Sequence, residues 1–274
     1  MAPIRRLTPS RVLRIVLTVI AVLVVGFPVY YTLLGSILPP GQLATGSLLP
    51  RSATFANFRA VLQQIPLGRE YLNTIAVTAL QTGAELLTSA LAAYALVFAQ
   101  WRGRGVVFGL IVATLAVPGD ALVIPNFTTV TGLGLTDTVL GITLPYLAAG
   151  YIVFLLRQAF LAFPREVWEA ARLDGAGHLR CLFRIVLPIT RPTLVTAALW
   201  SALGAWNGYF WPLLITDKDS SRTIQVGLGE LTNSDIGSPG QLLAGVTLVL
   251  LPTLVLILAG QRALLTGLAR TGVN

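Results

Sequence analysis

The sequence predicts an all-α, polytopic membrane protein with six transmembrane helices and a short helical hairpin between the fourth and fifth. Of its 274 residues, 55% are hydrophobic and 11% are charged, whereas a typical soluble domain is about 25% charged. So few ionisable side chains could not cover a surface that faces water on all sides. Lipid is therefore expected to surround most of the chain.

Six apolar runs are long enough to cross a bilayer core about 30 Å thick, which takes roughly 20 helical residues. They cover residues 12–34, 72–99, 106–124, 139–160, 193–215 and 241–261. The first run follows several arginines, as in a secretory signal peptide, but it is longer than the usual apolar region of about 7–15 residues and no small-residue cleavage site follows it. We therefore expect a retained first helix.

The distribution of basic residues predicts the orientation of these spans. With the amino terminus in the cytoplasm, 14 of the 19 Lys and Arg residues lie on the cytoplasmic side and five on the outer side. Such a bias is typical of membrane proteins, and it places both termini in the cytoplasm. Topology and contact with anionic lipid then account for the isoelectric point of 10.4, so no nucleic-acid partner is expected.

Several kinds of chemistry are excluded by residue counts. The only cysteine, Cys181, and the only histidine, His178, cannot form a disulfide or supply the four ligands of an ordinary zinc site. The only lysine, Lys218, lies outside any Gly-rich phosphate-binding loop. Disulfide, zinc and P-loop chemistry are therefore excluded. With its only histidine outside the spans, the chain is expected to have no catalytic residues, no metal site and no cofactor.

The loop at residues 164–192, between the fourth and fifth spans, has helical periodicity on both sides of a glycine-containing turn at residues 174–177. Pro164 is predicted to begin the first helix and Pro188 to end the second. In the first helix Val167, Ala170, Ala171 and Asp174 recur at helical spacing, and in the second Leu179, Leu182, Phe183 and Val186 repeat that spacing as a fully apolar stripe. Periodicity alone fits equally well an amphipathic hairpin that rests in the lipid headgroups.

Particular residues of this loop favour a more specific interpretation. Glu169-Ala170-Ala171 is followed after three residues by Gly175, and after nine more by Ile185-Val186-Leu187-Pro188. This pattern resembles the EAA motif of bacterial ABC importer permeases at every defined position. Similar segments occur elsewhere, including 71–74, 134–138 and 206–207, and the chain resembles a maltose-type carbohydrate permease. Residues 206–214 are similar to the glycerol-phosphate and oligosaccharide branches of that family.

The resemblance implies that the loop forms a cytoplasmic coupling helix that docks into a separate ATPase subunit. The residues expected at or behind this contact are Glu169, Ala170, Ala171, Asp174, Gly175, Ile185, Leu187 and Pro188. Small alanines permit close approach, and a glycine permits a sharp turn. In the family the carboxyl tail often reaches the same interface. Residues 267–269 match the family there, whereas residues 270–274 depart from its usual ending.

The resemblance also implies an assembly in the bacterial cytoplasmic (inner) membrane. Its expected partners are a second homologous permease, two copies of an ABC ATPase that hold ATP and Mg, an extracytoplasmic solute-binding protein and membrane lipid. The outer loop at 217–240, solvated by composition, is the family's contact with the binding protein. Residues 1–71 are expected to form a tail, the first span and an outer loop, and residues 72–274 the core permease domain.

Four polar residues in or beside the spans are candidates for the substrate path: Asp120, Asn126, Asn207 and Tyr209. Pro118-Gly119 is able to interrupt the third span and leave Asp120 facing a cavity, although an interfacial cap is the alternative. Amide groups suit sugar hydroxyls, and aromatic rings near residue 207 could stack on a sugar or instead anchor the helix at the interface.

Glu85 lies near the middle of the second span and is expected to face the interior and to be paired or protonated. It is either a pathway residue or, as we favour, a helix-contact residue that bonds to a partner subunit. In a rival interpretation, a self-contained secondary transporter, Glu85 and Asp120 would carry protons. A hairpin for docking a motor argues against this rival, since a carrier needs none.

Overall fold

The computed structural model describes residues 9–233 and 238–271, and all regular secondary structure in these two ranges is helical. The α-helices are α1 (Pro9–Ile37), α2 (Pro40–Ala44), α3 (Ala56–Gln64), α4 (Leu67–Val97), α5 (Arg104–Thr114), α6 (Val123–Gly132), α7 (Val139–Thr143), α8 (Gly150–Leu161), α9 (Arg165–Leu173), α10 (His178–Cys181), α11 (Leu187–Ile189), α12 (Arg191–Trp206), α13 (Phe210–Ile215), α14 (Ile224–Asn233) and α15 (Pro239–Thr271). The 3-10 turns are Gly119–Leu122, Leu144–Tyr146 and Asp219–Ser221, and Leu182–Val186 is a π-helical turn.

Two of these helices are long and apolar enough to cross a membrane alone, Leu13–Ile37 and Leu67–Val97. Three helix pairs meet the same criterion together but are bent by 94°, 53° and 87° at short breaks, so the described residues provide up to five spans. Pro239–Val255 is a shorter apolar helix. The structure is thus that of a helical membrane protein, and the count of six remains a prediction.

Proline and glycine account for the first two breaks. The third span is interrupted near Pro118-Gly119, as the sequence predicts, because α5 ends at Thr114 and the chain turns by 94° before α6. Pro118 has extended backbone, and a proline disfavours helix at the residue before it. Pro145 lies in the 3-10 turn between α7 and α8, at the 53° bend of the predicted fourth span.

The outer loop is more structured than its composition indicates. The prediction of a solvated loop over 217–240 is wrong for α14, whose first residues include the fully buried Ile224 and Val226. Asp137, in the left-handed region at φ 58°, accepts hydrogen bonds from the backbone N–H groups of Asp217 and Lys218, both at 2.8 Å. Asp235, part of the predicted loop, lies outside the described residues.

Two compact units divide the chain. The first comprises residues 1–65 and 228–250, and its polar centre is Asn57, which is 4% exposed. The Asn57 amide donates hydrogen bonds of 3.0 Å to the carbonyls of Ser36 and Leu38. These bonds fix the carboxyl end of α1 against α3.

The second unit comprises residues 66–227 and 251–274. Its centre is α4, which packs against α8 and α12. Ala90 and Ala93 of α4 and Ala197 of α12 are almost fully buried, and such small residues allow helix backbones to approach closely. The predicted boundary at residue 72 is not tested by this division and stays a prediction.

Candidate functional site

The hairpin predicted between the fourth and fifth spans is present in the second unit. Pro164, with extended backbone, precedes α9, and a turn at Asp174 and Gly175 separates α9 from α10. Gly175 adopts φ +80°, a conformation that glycine adopts without steric cost. The predicted start and turn are therefore confirmed, and the second arm runs through α10, the π-helical turn and α11.

The face of α9 that packs inward only partly matches the residues that recur at helical spacing. Trp168 and Ala171 contact the hydrophobic core, whereas Val167, Ala170 and Asp174 are exposed. The large indole of Trp168, which the helical spacing alone does not single out, reaches into the core and sets the rotation of the helix. The opposite face of α9 displays Glu169 and Leu173, and the latter is 89% exposed.

Only part of the apolar stripe in the second arm is buried. Leu182 and Val186 are buried, but Leu179 and Phe183 are 63% and 47% exposed. The π-helical turn at Leu182–Val186 inserts extra residues per turn, so the buried stripe drifts from the ideal helical spacing. Pro188 does not end the helix, which continues to Ile189 before the 87° bend into α12.

One tyrosine joins both arms of the hairpin to α4. The hydroxyl of Tyr94 accepts a 3.0 Å hydrogen bond from the Trp168 indole and lies 3.2 Å from Nδ1 of His178. Trp168 also stacks on Phe98, with ring centroids 5.4 Å apart. Because Trp168 belongs to α9 and His178 to α10, Tyr94 links both to the central helix. The sequence offered no signal for this pairing beyond an indole among small side chains.

The eight predicted coupling residues divide by exposure. The exposed ones are Glu169, Ala170, Asp174, Gly175 and Pro188, and the half-buried ones are Ala171, Ile185 and Leu187. Glu169 lines a cavity of about 460 Å³ together with Arg102, Arg104 and Arg165. The Glu169 carboxylate has no ion-pair partner within 4 Å among the described residues, so it is free to meet another molecule.

A second cavity, of about 450 Å³, lies between α4, α12, α13 and the breaks that separate α5 from α6 and α7 from α8. Asp120 and Tyr209 both line it, so two of the four predicted path residues come together. Asn126 and Asn207 are not among its lining residues. The Asn207 amide instead donates a 2.8 Å bond to the Leu203 carbonyl at the end of α12.

Glu85 is part of the same cavity and has its hydrogen-bond partners within its own chain. It is 4% exposed, and its carboxylate accepts hydrogen bonds from the Gln81 amide at 3.0 Å and the Tyr151 hydroxyl at 3.4 Å. The prediction of an inward-facing, paired carboxylate is confirmed. Its observed hydrogen-bond partners lie on α4 and α8 of the same chain, and not on a partner subunit as the favoured interpretation expects.

The two tryptophans beside residue 207, expected either to stack on a sugar or to anchor the helix at the membrane interface, are buried. Trp206 is 4% exposed, and its ring lies 6.0 Å from that of Tyr71. Trp211 is 5% exposed and donates a 3.0 Å hydrogen bond to the Ile142 carbonyl. These indoles fill the protein interior because each supplies a large apolar surface, and only Trp211 also lines the cavity.

The apolar helices, the broken spans and the cavity between them are typical of a membrane-embedded permease. Comparison with known proteins identifies the family. Residues 85–266 match the model of the binding-protein-dependent transport system inner membrane component. The chain therefore belongs to this family, whose members are permease subunits of ABC importers and not enzymes.

Individual relatives are similar to this chain over almost its whole length. The chain is 32% identical over 273 residues to the sn-glycerol-3-phosphate transport system permease protein UgpE of Agrobacterium fabrum (strain C58 / ATCC 33970), covering 96% of this chain and 97% of that one. It is 31% identical over 268 residues to the lactose transport system permease protein LacG of Rhizobium radiobacter, covering 98% of each. A crystal structure of a bacterial ABC transporter involved in the import of the acidic polysaccharide alginate has a TM-score of 0.83 and 26% identity, covering 95% of this chain and 99% of that one.

Proposed function

We propose that this chain forms half of the translocation pathway of an ATP-driven importer for a sugar, oligosaccharide, amino sugar or glycerol-phosphate compound. Family membership supports transport itself, and the names of the relatives, which refer to sn-glycerol-3-phosphate and lactose, support this range of substrates. The other half would come from a second homologous permease. Two ATPase copies would supply ATP and Mg, a solute-binding protein would deliver the substrate, and the chain itself would carry no cofactor.

The outer face of the hairpin is the observation that carries the proposal. Trp168 and Ala171 are occupied by the core of this chain, so α9 does not need lipid to cover its apolar side. The remaining face combines the unpaired carboxylate of Glu169 with the exposed Leu173 and Leu179. A mixture of apolar anchors and polar groups is typical of protein interfaces. Docking into an ATPase cleft therefore explains this face better than does a resting place among headgroups.

The link at Tyr94 suggests how the hairpin would act. If closure of the ATPase dimer moves the hairpin, Tyr94 would draw α4 with it, and the 87° bend would carry α12 along. Both helices line the cavity that holds Asp120 and Glu85. Rigid rocking of packed helices about a central site is an established form of alternating access.

The proposal includes a topology of six spans with both termini and the hairpin at 164–192 in the cytoplasm. The basic residues of the sequence support this orientation. The sixth span would come from the apolar part of α15, and Gly267-Leu268-Ala269 would lie near the ATPase. Residues 272–274, where the predicted tail departs from the family, lie outside the described residues. We retain the division into 1–71 and a core permease domain at 72–274.

Purification in mild detergent, with mass spectrometry of co-purifying proteins, tests this function. We expect the wild type to recover an ATPase and a second permease, and Glu169→Lys to lose the ATPase while keeping the second permease. Asp217→Lys makes the same kind of charge reversal at an exposed carboxylate outside the hairpin and should keep both. Recovery of the wild-type chain alone would contradict the proposal and favour the proton-coupled carrier.

A further inference from the structure

The cavity between α4 and α12 has an unusual charge composition. Two carboxylates, Glu85 and Asp120, line it, whereas none of its lining residues in the described part of the chain is Arg, Lys or His. Its other polar groups are the amide of Gln81 and hydroxyls such as those of Tyr209 and Ser201. An anion entering this half of the pathway would therefore meet negative charge without a compensating cation.

The apolar part of the wall makes this charge more effective. Val77, Ile142 and Trp211 are buried and line the same cavity, and apolar walls lower the local dielectric constant and focus the field of nearby charges. Asp120 is exposed to the cavity and makes no ion pair within 4 Å among the described residues. Within residues 9–233 and 238–271, no cationic side chain therefore lies close enough to cancel its charge.

The groups present also indicate what the cavity would hold. The exposed Asp120 carboxylate and the Tyr209 hydroxyl form hydrogen bonds to sugar hydroxyls, and the exposed rings of Trp200 and Tyr209 provide surfaces for stacking on a sugar ring. A phosphate is instead held by arginine or lysine, or by a helix amino terminus. Among the substrates in the relatives' names, this chemistry fits lactose and not sn-glycerol-3-phosphate.

We infer that this half of the pathway accepts a neutral or cationic polyhydroxylated substrate and excludes phosphate and carboxylate anions, an inference that rests on the proposed function. It means that the similarity to UgpE extends to architecture and not to the charge of the cargo. The inference concerns the sign of the electrostatic potential in the cavity, which is measurable without knowing the substrate.

The test uses single cysteines and methanethiosulfonate reagents that differ in charge. In a Cys181→Ser background, Tyr209→Cys or Trp200→Cys places a thiol in the cavity, and Ser220→Cys places one on the exposed outer loop as a control. The full chain is labelled in membrane vesicles together with its co-purifying subunits. The quantity measured is the rate with the cationic reagent divided by the rate with the anionic one.

We expect this ratio at either cavity position to exceed that at Ser220→Cys by about 10-fold, as a nearby uncompensated charge in a low-dielectric site would produce. Adding Asp120→Asn should move the ratio toward the control value. A ratio equal to the control, or one unchanged by Asp120→Asn, would overturn the inference. Labelling does not depend on transport. A labelling result that contradicts this inference is therefore distinguishable from a purification result that contradicts the proposed function. ATP-dependent uptake of sn-glycerol-3-phosphate by the wild-type importer would also overturn it.

Discussion

At the scale of single residues, the polar contacts of α4 are the most informative. The buried carboxylate of Glu85 accepts hydrogen bonds from the Gln81 amide and the Tyr151 hydroxyl. Tyr94, further along the same helix, satisfies the Trp168 indole. Leaving a buried polar group without its hydrogen-bond partner lowers the free energy of unfolding by about 1–3 kcal/mol. Substitutions at Glu85 and Tyr94 should therefore have measurable effects.

Glu85→Gln should leave uptake largely unchanged, because the amide oxygen still accepts a hydrogen bond and the side-chain volume is kept. Glu85→Ala should lower the free energy of unfolding by about 2–4 kcal/mol, since it removes the shared acceptor and leaves a cavity. Thermal unfolding of the purified complex measures stability, and vesicle uptake measures transport. Abolished uptake in Glu85→Gln with the complex still assembled would instead indicate a proton relay.

Tyr94→Phe should uncouple ATP hydrolysis from transport. The variant removes the hydroxyl between Trp168 and His178 but leaves the outer face of the hairpin intact. We expect ATPase co-purification to persist while the amount of substrate moved per ATP falls several-fold, because the hairpin then moves with less of α4. Tyr31→Phe, which removes a hydroxyl from α1, is the matched control. Equal transport per ATP in both variants would refute the role assigned to Tyr94.

At the scale of elements, the hairpin depends on one backbone conformation. Gly175 has φ +80°, whereas Gly177 in the same turn has φ −66°. A β-branched side chain in the left-handed region is strained by about 1–3 kcal/mol. The two glycines of this turn therefore differ in whether their backbone conformation requires glycine.

Gly175→Val should abolish or strongly reduce ATPase recovery, whereas Gly177→Ala should retain it, because a methyl group at 177 meets no atom within 4 Å. Gly175→Asn should recover an intermediate amount of ATPase, since asparagine tolerates positive φ better than valine does. Co-purification quantified against the second permease provides the measurement. If Gly175→Val recovers as much ATPase as Gly177→Ala, the turn geometry is not what positions Glu169.

The elements also show which features can be predicted from the sequence. The turn at Gly175 and the break after Pro118 follow from local backbone chemistry, and both were predicted. The inward face of α9 was not, because the packing of Trp168 depends on Phe98 and Tyr94, about 70 residues away in sequence. The π-helical turn at Leu182–Val186 could not be predicted either, because its sequence is equally compatible with an ordinary α-helix. Asp120 and Tyr209 were predicted individually, but their meeting with Glu85 required the fold.

At the scale of the whole molecule, the orientation in the membrane is open to a direct test. Glu169→Cys should react only with impermeant reagents added to the cytoplasmic side, and Ser220→Cys only with reagents added outside. Cys181 is fully buried and is replaced by serine in both variants. Reaction of both positions from one side would contradict the arrangement of spans that we propose.

The continuity of α4 has a consequence for the construction of hybrid importers. The helix runs unbroken from Leu67 to Val97, and Tyr94 and Glu85 are nine residues apart, or about 13 Å along its axis. A hairpin transplanted from another system would meet a foreign aromatic surface unless α4 were exchanged with it. Hybrids that transfer residues 164–189 together with the end of α4 should therefore retain motor-driven uptake, while hybrids that transfer the hairpin alone should bind the new motor without responding to it.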